Sequence, residues 1–143
     1  MPGPLITLPL AALIAALGIR ALLLTVRLWS GRPGRLLSQG KWNPRVDSEA
    51  RRAYDRGGMA FGFMMLFFAV MTGAVGTAGA VPAQHPGYRM ALLDIAAIAF
   101  LGFMISICLF QSIKYFNRPK VLVPPSLRGE PGELAARRRR SES

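Results

Sequence analysis

Asp94 is the acidic side chain set furthest into apolar sequence, and it is the first place to look for chemistry. Met90 to Leu93 precede it, and no charged residue lies between Ile95 and Ile113 after it. An ionisable group inside a membrane-spanning segment is costly, so it is a functional candidate by default. The chemistry open to it is a change of charge or contact with a cation, as in a proton- or ion-coupled transporter. Against that, a helix starting near Tyr88 leaves Asp94 only ~6–8 Å deep at about 1.5 Å per residue. There the carboxylate reaches interfacial water and sits at the helix end whose dipole favours an anion. His85 and Arg89 are near in sequence as bonding partners. A structural or topological role is therefore the simpler expectation.

Arg20 is the second ionisable candidate. In a first helix running from Pro4 it lies toward the basic end, with Arg27 two turns on and on nearly the same face. Both guanidinium groups then snorkel to headgroups, with Trp29 as an interfacial anchor. A helix starting at Pro9 instead puts Arg20 near mid-membrane and demands a partner for it.

The remaining chemistry is thin. His85 is the single histidine and Cys108 the single cysteine, so neither a metal site nor an intrachain disulfide is expected. Met59, Met64, Met65 and Met71 carry thioethers of the kind that suit Cu(I), but no Cys or His joins them, and ordinary packing is the expectation. Ser106, Cys108, Gln111 and Ser112 give the end of one apolar run a weakly polar side, suited to interhelical hydrogen bonds. There is no nucleophile–base pair, no phosphate-cradling glycine loop and no carboxylate pair. No catalytic, cofactor-binding or metal-ligating residue is assigned, no cofactor is expected, and the chain reads as a non-enzyme.

What must position these residues is set by the apolar runs. Met1 to Ile19, Met59 to Tyr88 and Ile95 to Ile113 carry no charged side chain, and each reaches the roughly 18 residues at which a run reads as a spanning helix. The expected fold is an all-α integral membrane protein with three transmembrane helices. The second and third form a hairpin across the short, proline-bearing connection Val81 to Gly87.

The net charge of +11 would suggest nucleic acid in a soluble chain. Here its placement favours another account, and no nucleic acid is expected. Arg32, Arg35, Lys41, Arg45, Arg51, Arg52 and Arg56 fill one connection, and Lys114, Arg118, Lys120, Arg128 and Arg137 to Arg140 fill the tail. Arg89 alone marks the other side. Such alternation predicts an amino terminus outside and both basic segments in the cytoplasm. The first apolar run has no basic residue before it, as a secretory signal would, and reads as an uncleaved anchor. Arg far outnumbers Lys, and Ala, Gly and Pro are abundant, which points to a high-GC bacterial source.

Four segments follow. Residues 1–29 hold the first helix. Residues 30–57 form a basic cytoplasmic loop, with interfacial Trp42 and a short amphipathic helix capped at Asp47 or Ser48 and interrupted at Gly57-Gly58. Residues 58–116 hold the hairpin, and 117–143 a disordered, proline-rich basic tail. Within the second span Gly73 and Thr77, and likewise Gly76 and Ala80, recur every fourth residue. That spacing predicts a packing face, expected to meet the third helix or, failing that, another copy or partner. Arg137, Arg138, Arg139 and Arg140 are expected to contact anionic lipid headgroups.

The expected function is that of a small, multi-pass plasma-membrane protein acting as a non-enzymatic accessory or scaffold subunit, alone, as a homo-oligomer or within a larger membrane complex. The rival expectation is a small oligomeric transporter or channel that uses Asp94.

Overall fold

The structure, a computed structural model, describes residues 4–30 and 48–142. Among these residues four helices run in order: α1 (Pro4–Trp29), α2 (Ser48–Ala80), α3 (Pro86–Phe116) and the short α4 (Glu133–Ser141). Two 3-10 turns, Lys120–Leu122 and Pro125–Leu127, lie between α3 and α4. Among the described residues there is no strand. Three segments, Leu5–Trp29, Asp55–Ala80 and Pro86–Phe116, are long and apolar enough to cross a membrane. The expected caps and anchors at Trp42 and Asp47 lie outside the described residues.

α1 begins at Pro4, where a missing N–H is harmless in the first turn, and it continues through Pro9. It closes at Ser30, whose backbone N–H donates to the Val26 carbonyl at 3.0 Å. The register against α2 is fixed by small residues. A Cβ on Gly18 would meet the Gly62 carbonyl at 3.1 Å and Met65 Cβ at 3.0 Å. One on Gly62 would strike Leu22, and one on Gly76 would strike Thr7. Gly73 faces Ala11, and Ala11, Ala21 and Thr25 are buried. Backbones this close need glycine, because lipid supplies no hydrophobic drive and close contact must substitute for it.

The small-residue face of α2 therefore meets α1. The expectation that it would meet α3 is corrected, and the reason is the aromatic side of α2. Phe67 lies over Gly102, the Phe68 and Phe103 rings pack tilted with centroids 5.5 Å apart, and Phe61 and Phe110 do so at 6.0 Å. At 3.6 residues per turn, Gly62, Gly73 and Gly76 occupy roughly the opposite side of α2 from Gly57, Phe61, Phe67 and Phe68. α2 is thus the middle of a flat row, packed along its length on both neighbours, while α1 and α3 share almost no contact.

Two further expectations change. Gly57-Gly58 does not interrupt the chain: α2 runs unbroken from Ser48 through both glycines. A Cβ on Gly57 would meet the Phe110 ring at 2.6 Å, so this glycine makes room for an aromatic from α3 instead of breaking a helix. The boundary between residues 30–57 and 58–116 consequently falls inside one helix. The segment after Phe116, expected to be disordered, carries the two 3-10 turns and α4.

Candidate functional site

Polar side chains converge at the basic end of the row, where the last turn of α3, the start of the spanning part of α2 and the carboxyl-terminal segment meet. The chain turns there at Asn117, which has φ 54 and ψ 42 and passes its backbone N–H to the Ile113 carbonyl at 2.9 Å. Asparagine is one of the few side chains that tolerates this left-handed conformation, which ends many helices. Its Nδ2 then donates to the Glu130 carbonyl at 2.6 Å, with the Arg128 and Leu127 carbonyls at 3.4 and 3.5 Å. One buried amide thus gathers the carbonyls of the returning strap.

Apolar groups seat the strap between those bonds. Val123 and Ile113 are fully buried and share a cluster with Ala60, against which Leu109, Phe110, Leu122 and Leu127 pack. Pro124 is fully buried as well. Gly132 passes so near the Tyr115 carbonyl that a Cβ would collide with it. Beyond it α4 starts with Glu133, an anion at the helix end that favours one, and Lys114 Nζ lies 3.9 Å from its carboxylate. A nine-residue helix is marginal alone, so the packing before it is what anchors α4.

Arg56 completes the clasp from α2. It is 5% exposed, and its Nη1 donates to Glu130 Oε2 at 3.3 Å and to the Pro131 carbonyl at 3.0 Å. A guanidinium is tolerable at such burial because the carboxylate and carbonyl replace lost water. Arg128 reaches α1: its Nε donates to the Val123 carbonyl at 3.0 Å, and its guanidinium carbon sits 5.4 Å from the centre of the Trp29 ring. That distance suits a cation–π contact. One strap therefore ties the ends of α1, α2 and α3 together.

The residues singled out from sequence are distributed differently. Asp94 is exposed on α3, and it faces away from α2, since Ala96, Ala99, Ser106 and Ile113 form the buried side. Arg20 is exposed on α1, two positions past the Gly18 contact and toward the basic end. Asp94 lies toward the other end, eight positions before Gly102, so the two are not brought together. Among the described residues neither forms an ion pair, and the contacts considered for Asp94 with His85 and Arg89 do not form. Gly73 and Gly76 do pack between helices, and Thr77 turns its hydroxyl back to the Gly73 carbonyl at 2.8 Å. Ala80 and Thr77 line an open groove at the hairpin end with Pro82, His85 and Tyr88.

Arg137 to Arg140 fall within α4; Arg138 and Arg139 are exposed, and Arg138 Nε donates to Glu142 at 3.1 Å. Among the described residues no group of three His, Cys, Asp or Glu side chains is placed to hold a metal ion. Cys108 is exposed. The comparisons add no relative. No protein-family model, curated protein or solved structure matches this chain.

Sequence reasoning passed over Arg56, Asn117, Arg128 and Glu130. Asn117-Arg118-Pro119 carried a signal, read as a helix stop without the return that follows it. Glu130, one of three acids in a basic tail, carried another, because an opposite charge among many cations can mark a specific partner.

Proposed function

We propose that the chain is a multi-pass protein of the plasma membrane, with its amino terminus outside and its clasped basic end in the cytoplasm, acting as a non-enzymatic accessory or scaffold subunit. The observation that supports this most directly is how the interhelical faces are filled. Glycine, alanine and phenylalanine are prominent on them, and apart from Thr7, whose buried hydroxyl has no hydrogen-bond partner, the hydroxyls there bond their own helices. Thr25 donates to the Ala21 carbonyl at 2.9 Å, Thr72 to Phe68 at 2.8 Å, Thr77 to Gly73 at 2.8 Å and Ser106 to Gly102 at 2.8 Å. Such a row offers a passing ion no chain of side-chain ligands between helices. It offers other membrane components two broad outer faces, with Leu5 89% exposed on α1 and Ile98 69% exposed on α3. The orientation rests on the alternation of Lys and Arg between connections.

A second reading has one observation in its favour: Asp94 stands on the outer face of an edge helix, where several copies assembled around α3 would bring their carboxylates together. Proteoliposomes separate the two. Purified protein carrying no proton or cation flux above empty vesicles supports the accessory reading, and flux that Asp94→Asn abolishes overturns it.

A further inference from the structure

The end of α3 carries a groove that the clasp does not use. Ser112, Arg118, Pro119 and Lys120 line it, and it opens outward. Arg118 and Lys120 are both exposed. Beside them Phe116 and Val121 hold large apolar surfaces in the open, at 64% and 68% exposure.

The depth of the groove follows from the helix register. Phe67 and Gly102 meet near the middles of their spans. Ser112 is ten positions beyond Gly102, about 15 Å at a rise of ~1.5 Å, which is the half-thickness of a hydrocarbon core of roughly 30 Å. The hydroxyl therefore lies at the hydrocarbon boundary, with the two cations just above it at headgroup level. Beneath it Cys108, Ile105, Leu101 and Ile98 follow at alternating spacings of four and three, one stripe down the face of α3 turned from α2.

We propose that this groove is a binding site for one anionic glycerophospholipid, its phosphate held by Arg118, Lys120 and the Ser112 hydroxyl and an acyl chain lying along the Ile98–Cys108 stripe. Arginine supplies a planar fork matched to phosphate oxygens, and lysine a second point charge. The carboxyl end of α3 opposes an anion with a partial charge of about half a unit. Two full positive charges outweigh it, and the Asn117 N–H already occupies the Ile113 carbonyl. A lipid fits better than a soluble anion because the cationic mouth opens directly onto exposed hydrocarbon-facing side chains. The site is distinct from the arginine run of α4, which lies on a separate helix beyond the strap.

The inference rests on the membrane placement proposed above, but its readout does not depend on which way the row faces. Full-length protein is placed in nanodiscs of equal phosphatidylcholine and phosphatidylglycerol, extracted into mild detergent, and its retained phospholipid counted by native mass spectrometry. The wild-type chain is expected to retain phosphatidylglycerol in preference to phosphatidylcholine. Arg118→Gln with Lys120→Gln should cut that preference about tenfold or more. Arg138→Gln with Arg139→Gln removes the same charge from α4, where exposed side chains can touch headgroups in a bilayer but hold no lipid through extraction, and should leave it intact. Equal losses in the two double variants, or no preference in the wild type, overturn the proposal. So does displacement of the lipid by millimolar inorganic phosphate, which would make the groove a simple anion site. A flux result that removed the accessory reading would leave these outcomes unchanged.

Discussion

Arg56 and Glu130, 74 positions apart in sequence, meet at 3.3 Å at the basic end of the row. The cation belongs to the central helix and the anion to the strap, so this pair joins the spanning part of the protein to the segment after it. Arg56 is 5% and Glu130 30% exposed, which makes the contact tighter than a surface pair and wetter than a core one.

The pair should therefore hold the strap in place. Glu130→Gln leaves Arg56 buried beside a neutral amide and should weaken docking by about 1.5–3 kcal/mol, the range for a hydrogen bond to a charged group. Amide exchange across Val123 to Glu133 should accelerate, while exchange in the middle of α2 stays slow. Unchanged protection of the strap would show that Val123, Pro124 and Asn117 hold it without the ion pair.

The spans were legible in the sequence because long uncharged runs have few alternatives at this length: the segments around Leu5–Trp29, Asp55–Ala80 and Pro86–Phe116 follow from composition. Which face meets which helix was not, since Gly73 and Gly76 announce a close approach without naming the neighbour. Gly57-Gly58 was misread because a glycine pair looks the same whether it breaks a helix or admits a ring such as Phe110. The clasp was hidden for a different reason. Arg56, Asn117 and Glu130 are polar residues in polar surroundings, and their pairing depends on a turn at Asn117 that returns the chain over the row.

Packing of α1 on α2 should depend on Gly76 and not on Gly79. A side chain at Gly76 collides with Thr7, whereas one at Gly79 meets nothing within 4 Å. Gly76→Leu should separate the outer halves of the two helices, and Gly79→Leu should be tolerated. Disulfide trapping between cysteines introduced at Ala11 and Gly73, whose Cβ positions lie 3.7 Å apart, reports the spacing; equal trapping in both variants would remove the packing role of Gly76. Phe67→Leu should instead loosen α2 from α3, because the Phe67 ring fills the space over Gly102.

Orientation should follow the basic connections. Reporter fusions are expected to place residues 31–47 and the end of α4 in the cytoplasm and the turn from Pro82 to His85 outside. Adding arginines to that turn should disturb insertion, since Lys and Arg resist transfer. A carboxyl-terminal fusion active outside the cell would overturn the arrangement.

Asp94 separates the two functional readings. It lies eight positions from Gly102, about 12 Å from mid-membrane at ~1.5 Å per residue, and so within a few ångströms of the hydrocarbon boundary on a face turned away from α2. At that depth a carboxylate reaches interfacial water by extending its side chain, so it needs no partner in the isolated chain. Asp94→Asn keeps the shape and deletes the charge. If the carboxylate is an interfacial marker, insertion, abundance and the antiparallel pairing of α2 with α3 should be unchanged, with any stability shift below about 0.5 kcal/mol as for other surface changes. If several copies gather their carboxylates around a cation, the substitution should abolish a pH-dependent flux in proteoliposomes while leaving abundance intact. Measuring abundance and flux on the same preparation decides between them, because a structural defect lowers the first and a transport defect removes the second alone.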